Sequence, residues 1–252
     1  MKYAVVTGTS KGLGESIAKL LMQASFHVIG IARNGNKELE DADLPGKYTH
    51  YYGDLSNLDQ TLKVFDKVIE ELIGKKDIES LHLVQNAALI QPIEQAGKQD
   101  PVHIEQHMNV NLVSPMVITN RWLDAWQQHS IPLVMVNITS GAADRSVYGW
   151  TAYCASKAGL NHFTRTVALE QEELNTGNKI FLFDPSIMDT EMQGEIRSSD
   201  PSQFIDVDNF RNYKTNDKLR STDVVAKVLV DRLLDESTIE NGEYFSVKDI
   251  FK

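Results

Sequence analysis

A tyrosine and a lysine four positions apart, Tyr153 and Lys157, are the residues whose types and spacing point most directly to chemistry. Apolar residues around them recur at helical spacing, so the two side chains share one helix face with their backbones about 6 Å apart. A phenol normally titrates near pH 10, and an ammonium about 4 Å away draws that pKa toward neutrality at an effective dielectric of about 20. Tyr153 is therefore predicted to donate a proton to an alkoxide formed from a carbonyl.

The same spacing recurs at Tyr244 and Lys248, near the end of the chain. That pair falls on a predicted strand, where four residues span about 13 Å, too far for the lysine to act on the phenol. Only Tyr153 and Lys157 are expected to work as a unit.

Ser140 lies at the end of a strongly apolar segment, residues 134–138, that is predicted to be a strand. Open α/β sheets bind ligands at the carboxyl ends of their strands. The Ser140 hydroxyl can hold a substrate carbonyl there, and a turn or helix-cap serine is the alternative interpretation.

A glycine-rich segment connects the first predicted strand to the first predicted helix. It reads Thr7-Gly8-Thr9-Ser10-Lys11-Gly12-Leu13-Gly14. Glycines allow a tight turn and a close approach to a pyrophosphate, and the helix N-terminus offers unpaired N–H groups with a partial positive charge. The segment predicts a dinucleotide-binding loop formed by Gly8, Ser10, Lys11, Gly12, Leu13 and Gly14.

The end of the second predicted strand indicates which dinucleotide is bound. In the usual fingerprint, an acidic residue about 20 positions after the loop holds the 2′-hydroxyl of NAD. This chain has Arg33 and Asn34 there, and Lys11 lies within the loop. A guanidinium pairs with a 2′-phosphate that a carboxylate would repel. NADP(H) is the predicted cofactor, and a solvated surface arginine is the alternative interpretation of Arg33.

Asp54 and Leu55 follow the third predicted strand and are assigned to the cofactor site. The Asp54 carboxylate can accept a hydrogen bond from the adenine amino group. It can equally cap a helix start in the segment Asp54-Leu55-Ser56.

Strand-like and helix-like segments alternate along the chain and must position these residues. Seven short apolar segments read as strands, at residues 2–7, 27–32, 48–52, 81–85, 131–138, 179–183 and 243–247. Helical patterns separate most of them, including a long one at 100–128 that is bent or interrupted near Pro115. This alternation predicts an α/β fold of the Rossmann type, a doubly wound parallel sheet in three layers.

Composition excludes several classes of protein and site. The 252 residues show no repeat or linker, which predicts one domain over residues 1–252 with a substrate lid at about 186–221. A net charge of −10 argues against a nucleic-acid partner. One cysteine and no Cys/His cluster predict no metal site and a reducing compartment. With no apolar run of about 18 residues, we expect no membrane partner and a cytoplasmic protein.

Taken together, these motifs resemble the short-chain dehydrogenase/reductase family across essentially the whole chain. The resemblance implies that Tyr153 is the general acid, that Lys157 binds the nicotinamide ribose and lowers the tyrosine pKa, and that Ser140 orients the carbonyl. Asn111 would hold a water of the proton relay, although by itself it also reads as a satisfied polar residue of a helix. The pattern is carried by Thr7, Gly8, Gly12, Gly14, Asp54, Asn86, Ala87, Asn111, Ser140, Tyr153 and Lys157.

Two positions depart from the family pattern. Its Asn-Ala-Gly becomes Asn86-Ala87-Ala88, and its Pro-Gly becomes Pro185-Ser186. Each departure adds atoms near the expected cofactor without removing a reacting group. Asn86, Ala87, Met188 and Thr190 remain assigned to the cofactor site.

Three segments, residues 136–143, 149–154 and 188–193, resemble family members that reduce benzil or sepiapterin. The benzil resemblance implies NADPH-dependent reduction of one carbonyl of an aromatic 1,2-diketone to an (S)-hydroxyketone. The sepiapterin resemblance implies a pterin held by Asp189, which alternatively faces water or caps a helix.

An apolar slot for a flat substrate can be formed by Tyr148, Trp150, Met188 and Met192, which can equally belong to a core or an interface. The resemblance also implies a homodimer or homotetramer that pairs through the helices at 100–128 and 150–175. A catalytically silent NADP-binding redox sensor is the alternative from a different functional class.

Overall fold

A seven-stranded parallel sheet forms the centre of the computed structural model, which describes residues 1–129 and 131–251. Every neighbouring pair of strands is parallel, in the spatial order β3-β2-β1-β4-β5-β6-β7. This order confirms the predicted doubly wound Rossmann-type sheet. The strands are β1 (Lys2–Thr7), β2 (Phe26–Ala32), β3 (Tyr48–Tyr52), β4 (Ser80–Gln85), β5 (Leu133–Ile138), β6 (Lys179–Asp184) and β7 (Tyr244–Ser246).

Helices cover both faces of the sheet. They are α1 (Gly12–Gln23), α2 (Lys37–Glu40), α3 (Leu58–Ile73), α4 (Pro101–Met108), α5 (Ser114–Trp126), α6 (Thr151–Glu173), α7 (Glu191–Arg197), α8 (Val207–Thr215), α9 (Thr222–Leu234) and α10 (Val247–Ile250). One apolar core joins α1 and α9 to the sheet, and a second joins α3, α5 and α6 to the opposite face. Across the described ranges 1–129 and 131–251, no helix is both long enough and apolar enough to cross a membrane.

Covering the sheet on both faces explains the sequence pattern of its strands. All six residues of β5 are buried, and their near-continuous apolar character is what a doubly covered parallel strand requires. The helices bury one stripe only: in α1 the buried residues Leu13, Ile17 and Leu21 recur every four positions.

The long helical pattern at 100–128 is interrupted next to Pro115, as predicted. A π-helical turn at Asn109–Val113 separates α4 from α5. Pro115 lies just after this turn, and because the chain before it is also helical, its missing backbone N–H removes one hydrogen bond of a regular helix. The prediction of an interruption near Pro115 is therefore confirmed. Asn111 lies within the π turn.

Residues 186–221 contain two short helices, α7 and α8, that hydropathy periodicity does not reveal. They close over an aromatic cluster in which the Trp150 and Phe204 rings stack with centroids 4.8 Å apart, and Phe210 packs against both. Gly149 has a φ of +84°, and a Cβ there would lie 2.2 Å from the carbonyl oxygen of Gln203. This glycine lets the chain before α6 pass directly against the backbone of residues 203–204.

Candidate active site

A cavity of about 1090 Å³ opens at the carboxyl ends of the strands and brings the predicted site residues together. Its walls include residues of the glycine loop after β1, the segments after β4, β5 and β6, the start of α6, and helices α7 and α8. The adjacent strands β1 and β4 lead to connections on opposite sides, which is where doubly wound sheets form ligand crevices.

The glycine loop has the geometry that a diphosphate group requires. Gly8 and Gly12 have φ values of +77° and +66°. A Cβ on Gly12 would meet only the Thr190 Cγ2 atom, at 3.9 Å, so the space beside the loop is open. Lys11 occupies the N-cap of α1 without forming a side-chain cap. The first-turn N–H groups of α1 are therefore available to an anion, and the loop fits a dinucleotide pyrophosphate.

Asn86 and Ala87 join the end of β4 to the glycine loop. Their backbone N–H groups both donate to the Thr7 hydroxyl at 3.0 Å, and the Asn86 side-chain amide donates to the carbonyls of Thr7 and Gly8. Both residues line the cavity, as does Ala88, which replaces the family glycine. The departure at Ala88 therefore leaves this junction intact.

Arg33 and Asn34 lie exposed beyond the end of β2 and line the cavity. Arg33 has no ion-pair partner in the part of the chain that the structure describes. Lys11 is different, because its ammonium pairs with Glu191 at the start of α7. This ion pair links the glycine loop to α7, a contact that the sequence did not predict. Because the Lys11 ammonium is already paired, Arg33 is the better placed cation for a phosphate.

Asn36 is a site residue that the sequence reasoning missed. Its side-chain amide donates to the carbonyls of Thr9 and Ser10 and, at 2.9 Å, to the Glu15 carboxylate. Its oxygen accepts from Leu39 N at the start of α2. Asn36 thus fixes the loop that carries Arg33 against the glycine loop. In the sequence it stands in a polar stretch that does not indicate a contact with residues 9–15.

Asp54 does not cap a helix, which was its alternative interpretation, because Asn57 caps α3; Asp54 instead holds the turn before that helix. One carboxylate oxygen accepts from the Ser56 backbone N–H at 3.0 Å and from the Ser56 hydroxyl at 2.8 Å. Asp54 and Leu55 both line the cavity. The contact between Asp54 and adenine stays a prediction.

Ser140, Tyr153 and Lys157 meet at one end of the cavity. Ser140 follows β5, and Tyr153 and Lys157 lie in the first two turns of α6, both buried. The Lys157 ammonium donates to the Ile138 carbonyl at 2.8 Å and lies 5.8 Å from the centroid of the Tyr153 ring. A strand end and a helix start thus bring a hydroxyl, a phenol and an ammonium together beside the glycine loop.

Burial controls the ionisation of this group. Desolvation raises the pKa of Tyr153 to about 12, which the nearby Ser140 hydroxyl opposes and the Asp184 charge reinforces. Desolvation also lowers the pKa of Lys157 to about 8. The expectation that Lys157 draws the pKa of Tyr153 toward neutrality is therefore wrong, because desolvation is the largest influence on the phenol and Lys157 is not among the groups that shift its pKa. The phenol keeps its proton at neutral pH, the state that a proton donor needs.

Asn111 lies in the π turn and is 1% exposed. Its side-chain oxygen accepts from Leu89 N at 2.8 Å, and its amide nitrogen donates to Leu89 O at 2.8 Å and to His107 Nε2 at 3.0 Å. These contacts match the alternative interpretation, a satisfied polar residue. The relay water of the family resemblance stays a prediction, and it would have to use the Asn111 backbone carbonyl.

Asp189 lines the cavity from the lid, but its carboxylate is already paired. It accepts from the Lys214 ammonium at 2.6 Å and lies 3.9 Å from Arg197 Nη1. Two cations therefore compete with any ligand for this carboxylate, which disfavours the pterin-anchoring interpretation. Nearby, the Thr190 hydroxyl caps α7 by accepting a hydrogen bond from Gln193 N. The backbones of Met188 and Arg220 pair in an isolated parallel β-bridge.

The predicted apolar slot is present in part. Trp150, Met188 and Met192 line the cavity together with Ile90, Ile196 and Phe210. Tyr148 does not line it and is 48% exposed. Tyr148 therefore does not belong to the slot. Phe204 and Phe210 pack against Trp150 instead.

Asp184, at the end of β6, is a second residue that the sequence reasoning missed. It is 3% exposed and accepts from Ser186 N at 2.8 Å, from the Tyr244 hydroxyl at 3.0 Å and from the Ser246 hydroxyl at 3.3 Å. Ser186 has a φ of +60°, where the family has glycine, and its hydrogen bond to Asp184 holds that turn. Tyr244 of the second Tyr-x-x-x-Lys pair therefore anchors a carboxylate. Burial and the charge of Asp184 raise the pKa of the Tyr244 phenol.

Within residues 1–129 and 131–251, no three His, Cys, Asp or Glu side chains are grouped so that they could hold a metal ion.

Comparisons with known proteins give the family. The sequence model described as short chain dehydrogenase matches residues 2–201. The benzil reductases ((S)-benzoin forming) of Bacillus subtilis (strain 168) and Bacillus cereus are each 34% identical to this chain; the alignments cover 99% of this chain and 99% and 100% of those proteins.

Solved structures share the fold over nearly the whole chain. A short-chain dehydrogenase/reductase of Saccharomyces cerevisiae is 28% identical with a TM-score of 0.81, covering 98% of this chain and 96% of that one. The KRED1-Pglu enzyme is 26% identical with a TM-score of 0.80, covering 97% and 100%. The chain belongs to the short-chain dehydrogenase family and is an oxidoreductase that acts on the C=O/CH–OH pair with a nicotinamide cofactor.

Proposed function

We propose that this protein is an NADPH-dependent carbonyl reductase that reduces one carbonyl of an aromatic 1,2-diketone, with Tyr153 as the proton donor. The observation that carries the proposal is the meeting of Ser140, Tyr153 and Lys157 with the glycine loop in one cavity. The diketone substrate is supported by the 34% identity to two benzil reductases and by the apolar wall around Trp150. The paired state of Asp189 weighs against a pterin.

The residues of the glycine loop and Arg33 would hold the cofactor through its phosphates, with Asn34, Asp54, Leu55, Asn86, Ala87, Met188 and Thr190 along the rest of its length. When bound, NADPH supplies the hydride that the carbonyl carbon gains. The Ser140 hydroxyl donates a hydrogen bond to the carbonyl oxygen. Tyr153 gives that oxygen its proton, and the Lys157 ammonium stabilises the phenolate that remains.

The carbonyl reductase activity is expected to fall as pH rises through about 8. Lys157 has its pKa lowered to about 8 and loses its charge there, whereas Tyr153 keeps its proton up to about 12. A neutral lysine no longer stabilises a phenolate, so kcat declines while the proton donor itself is intact. Measurement of kcat with saturating NADPH and benzil across this range checks the sign. A profile that rises through this range would contradict it.

Replacing Arg33 by aspartate is expected to lower the ratio of kcat/KM with NADPH to kcat/KM with NADH by about 10- to 100-fold, the effect of losing a hydrogen bond to a charged group. The new carboxylate repels the 2′-phosphate and suits the 2′-hydroxyl of NADH. Lys37→Asp is the matched control, because Lys37 is exposed nearby on α2 but does not line the cavity. An unchanged ratio in Arg33→Asp would remove Arg33 from the cofactor assignment.

We further propose that the chain forms a single domain in which residues 186–221 cover the substrate, and that it pairs as a homodimer or homotetramer through α4, α5 and α6. Exposed apolar side chains on these helices, Met116 at 39% and Leu169 at 58%, support such a contact. Light scattering coupled to size-exclusion chromatography measures the assembly.

The test of the function is a substrate panel with benzil and sepiapterin side by side, each with NADPH and with NADH, followed by loss of reduced-cofactor absorbance. We expect NADPH oxidation with benzil, and chiral chromatography should identify the product as (S)-benzoin. Turnover of sepiapterin alone would replace the substrate assignment. Tight NADPH binding with no turnover of any diketone, pterin or quinone would show a nucleotide-binding protein without reductase activity.

A further inference from the structure

We infer that His107 is a positioning residue of this active site: its neutral imidazole ties the cavity wall after β4 to the helix that carries Tyr153, and its protonation switches the reductase off. The inference rests on the proposed reductase function and assigns a role to a residue outside the Ser140, Tyr153 and Lys157 group.

His107 is fully buried beneath the cavity, in the last turn of α4. Its ring meets the Tyr153 ring edge to face, with centroids 6.0 Å apart and an interplanar angle of 81°. Burying a histidine costs free energy unless its ring nitrogens form hydrogen bonds.

The hydrogen bonds of His107 fix its protonation state. Nδ1 lies 2.7 Å from the carbonyl oxygen of Gln91, which only accepts, so Nδ1 carries the proton. Nε2 lies 3.0 Å from the side-chain nitrogen of Asn111, which only donates, so Nε2 must accept. The orientation of the Asn111 amide is itself fixed, because its oxygen accepts from Leu89 N. Only the neutral tautomer with hydrogen on Nδ1 satisfies both Gln91 and Asn111.

The same imidazole connects two parts of the site. Gln91 and Leu89 belong to the loop that lines the cavity after β4. On the other side, His107 Nε2 lies 3.1 Å from the hydroxyl of Ser156, which also lies 2.9 Å from the Tyr153 carbonyl and directly precedes Lys157. The loop, the Asn111 turn and the proton donor's helix therefore share one hydrogen-bonded centre.

A proton on Nε2 would break this arrangement. The Ser156 hydroxyl could accept from the new N–H, but the Asn111 N–H would then face it without an acceptor, and a second buried charge would lie near the Lys157 ammonium. Two titratable groups face His107 from α6, Lys157 and Tyr153. The loop at 86–91 and the turn at Asn109–Val113 contain no titratable side chain. Desolvation and the Lys157 charge lower the pKa of His107, opposed by the bond to Gln91. We expect kcat to fall as pH drops through a value below 6.5.

Three variants test the role. His107→Gln keeps an acceptor at the Nε2 end without a titratable ring, and His107→Asn keeps a donor at the Nδ1 end. His103→Gln is the matched control, because His103 is exposed on the same helix. At neutral pH, we expect kcat to fall about 10-fold in each His107 variant, the effect of one unsatisfied buried polar group. The acid limb of the kcat profile should vanish in His107→Gln and persist in the wild type and in His103→Gln.

Nitrogen NMR of the wild-type imidazole provides a readout independent of activity and of how the variants fold. We expect the Nδ1–H tautomer and a titration below pH 6.5. An unchanged acid limb in a folded His107→Gln, or an Nε2–H tautomer in the wild type, would overturn the inference. If the substrate panel shows no reduction, the proposed function fails, while the NMR result still decides the state of His107.

Discussion

Tyr153→Phe is expected to lower kcat for carbonyl reduction by about 1000-fold, within the range for losing a general acid. The phenol keeps its proton at neutral pH because burial raises its pKa to about 12, and the described site offers no second hydroxyl paired with a lysine on one helix face. Phenylalanine preserves the ring that packs edge to face against His107 and Trp150, with centroids 6.0 and 5.4 Å away. The substitution therefore removes the hydroxyl group that donates the proton and leaves the packing of the ring nearly unchanged.

A comparison of binding with turnover separates this effect from damage to the site. NADPH should bind Tyr153→Phe as it binds the wild type, measured by fluorescence titration, while benzil reduction is lost. Tyr148→Phe is the matched control, because Tyr148 is half-exposed and does not line the cavity. Tyr153 is not the proton donor if its phenylalanine variant keeps more than about a tenth of the wild-type kcat, since general acids contribute more than this.

The sheet could be predicted from the sequence because its determinants are local. A parallel strand covered on both faces must be apolar along its length, as β5 is, and an amphipathic helix must repeat its buried residues, as α1 does. Helices α7 and α8 escaped prediction because they are short and bury only two residues each, Gln193 and Ile196 in α7 and Val207 and Phe210 in α8. The interruption near Pro115 was predicted, but its π-helical form was not, because nothing local in Asn109–Val113 distinguishes an added residue from a regular helix.

The chemistry-bearing residues were predictable for a similar reason: glycines at a strand-to-helix turn, and a tyrosine and lysine one turn apart, are patterns of adjacent residues. Asn36, Asp184 and His107 were not, because each acts through contacts far along the chain. Lys11 shows the same limit, since its pairing with Glu191 depends on where the lid folds.

The pKa of Tyr153 shows why magnitudes need a structure. Helical spacing predicts the distance between two side chains on one helix face and therefore a Coulombic attraction. It did not give the burial of both groups, which raises the pKa of the phenol and lowers that of Lys157. For reduction this outcome is favourable, because the donor holds its proton until the developing alkoxide takes it.

Gly14→Ala is expected to lower kcat/KM for NADPH by about 100-fold, the scale of a displacement near 1 Å at a reacting site. A Cβ on Gly14 would lie 2.2 Å from the carbonyl oxygen of Gly8 and 2.6 Å from the Asn86 side-chain nitrogen. Backbone cannot yield as a flexible side chain does, so the turn at Gly8 must move away from α1. The N–H groups that face the phosphates then lose their alignment, and crowding lowers the free energy of unfolding by about 1–3 kcal/mol.

Gly194→Ala is the matched control for this argument, because Gly194 is also helical, in α7, and a Cβ there meets only the Arg197 Nη2 atom, at 3.7 Å. Removing the extra backbone freedom of glycine should raise the free energy of unfolding by about 0.5–1 kcal/mol. Chemical denaturation and NADPH titration of both variants separate the effects. Equal NADPH affinity in Gly14→Ala and the wild type would show that the cofactor does not depend on the contact between α1 and the loop.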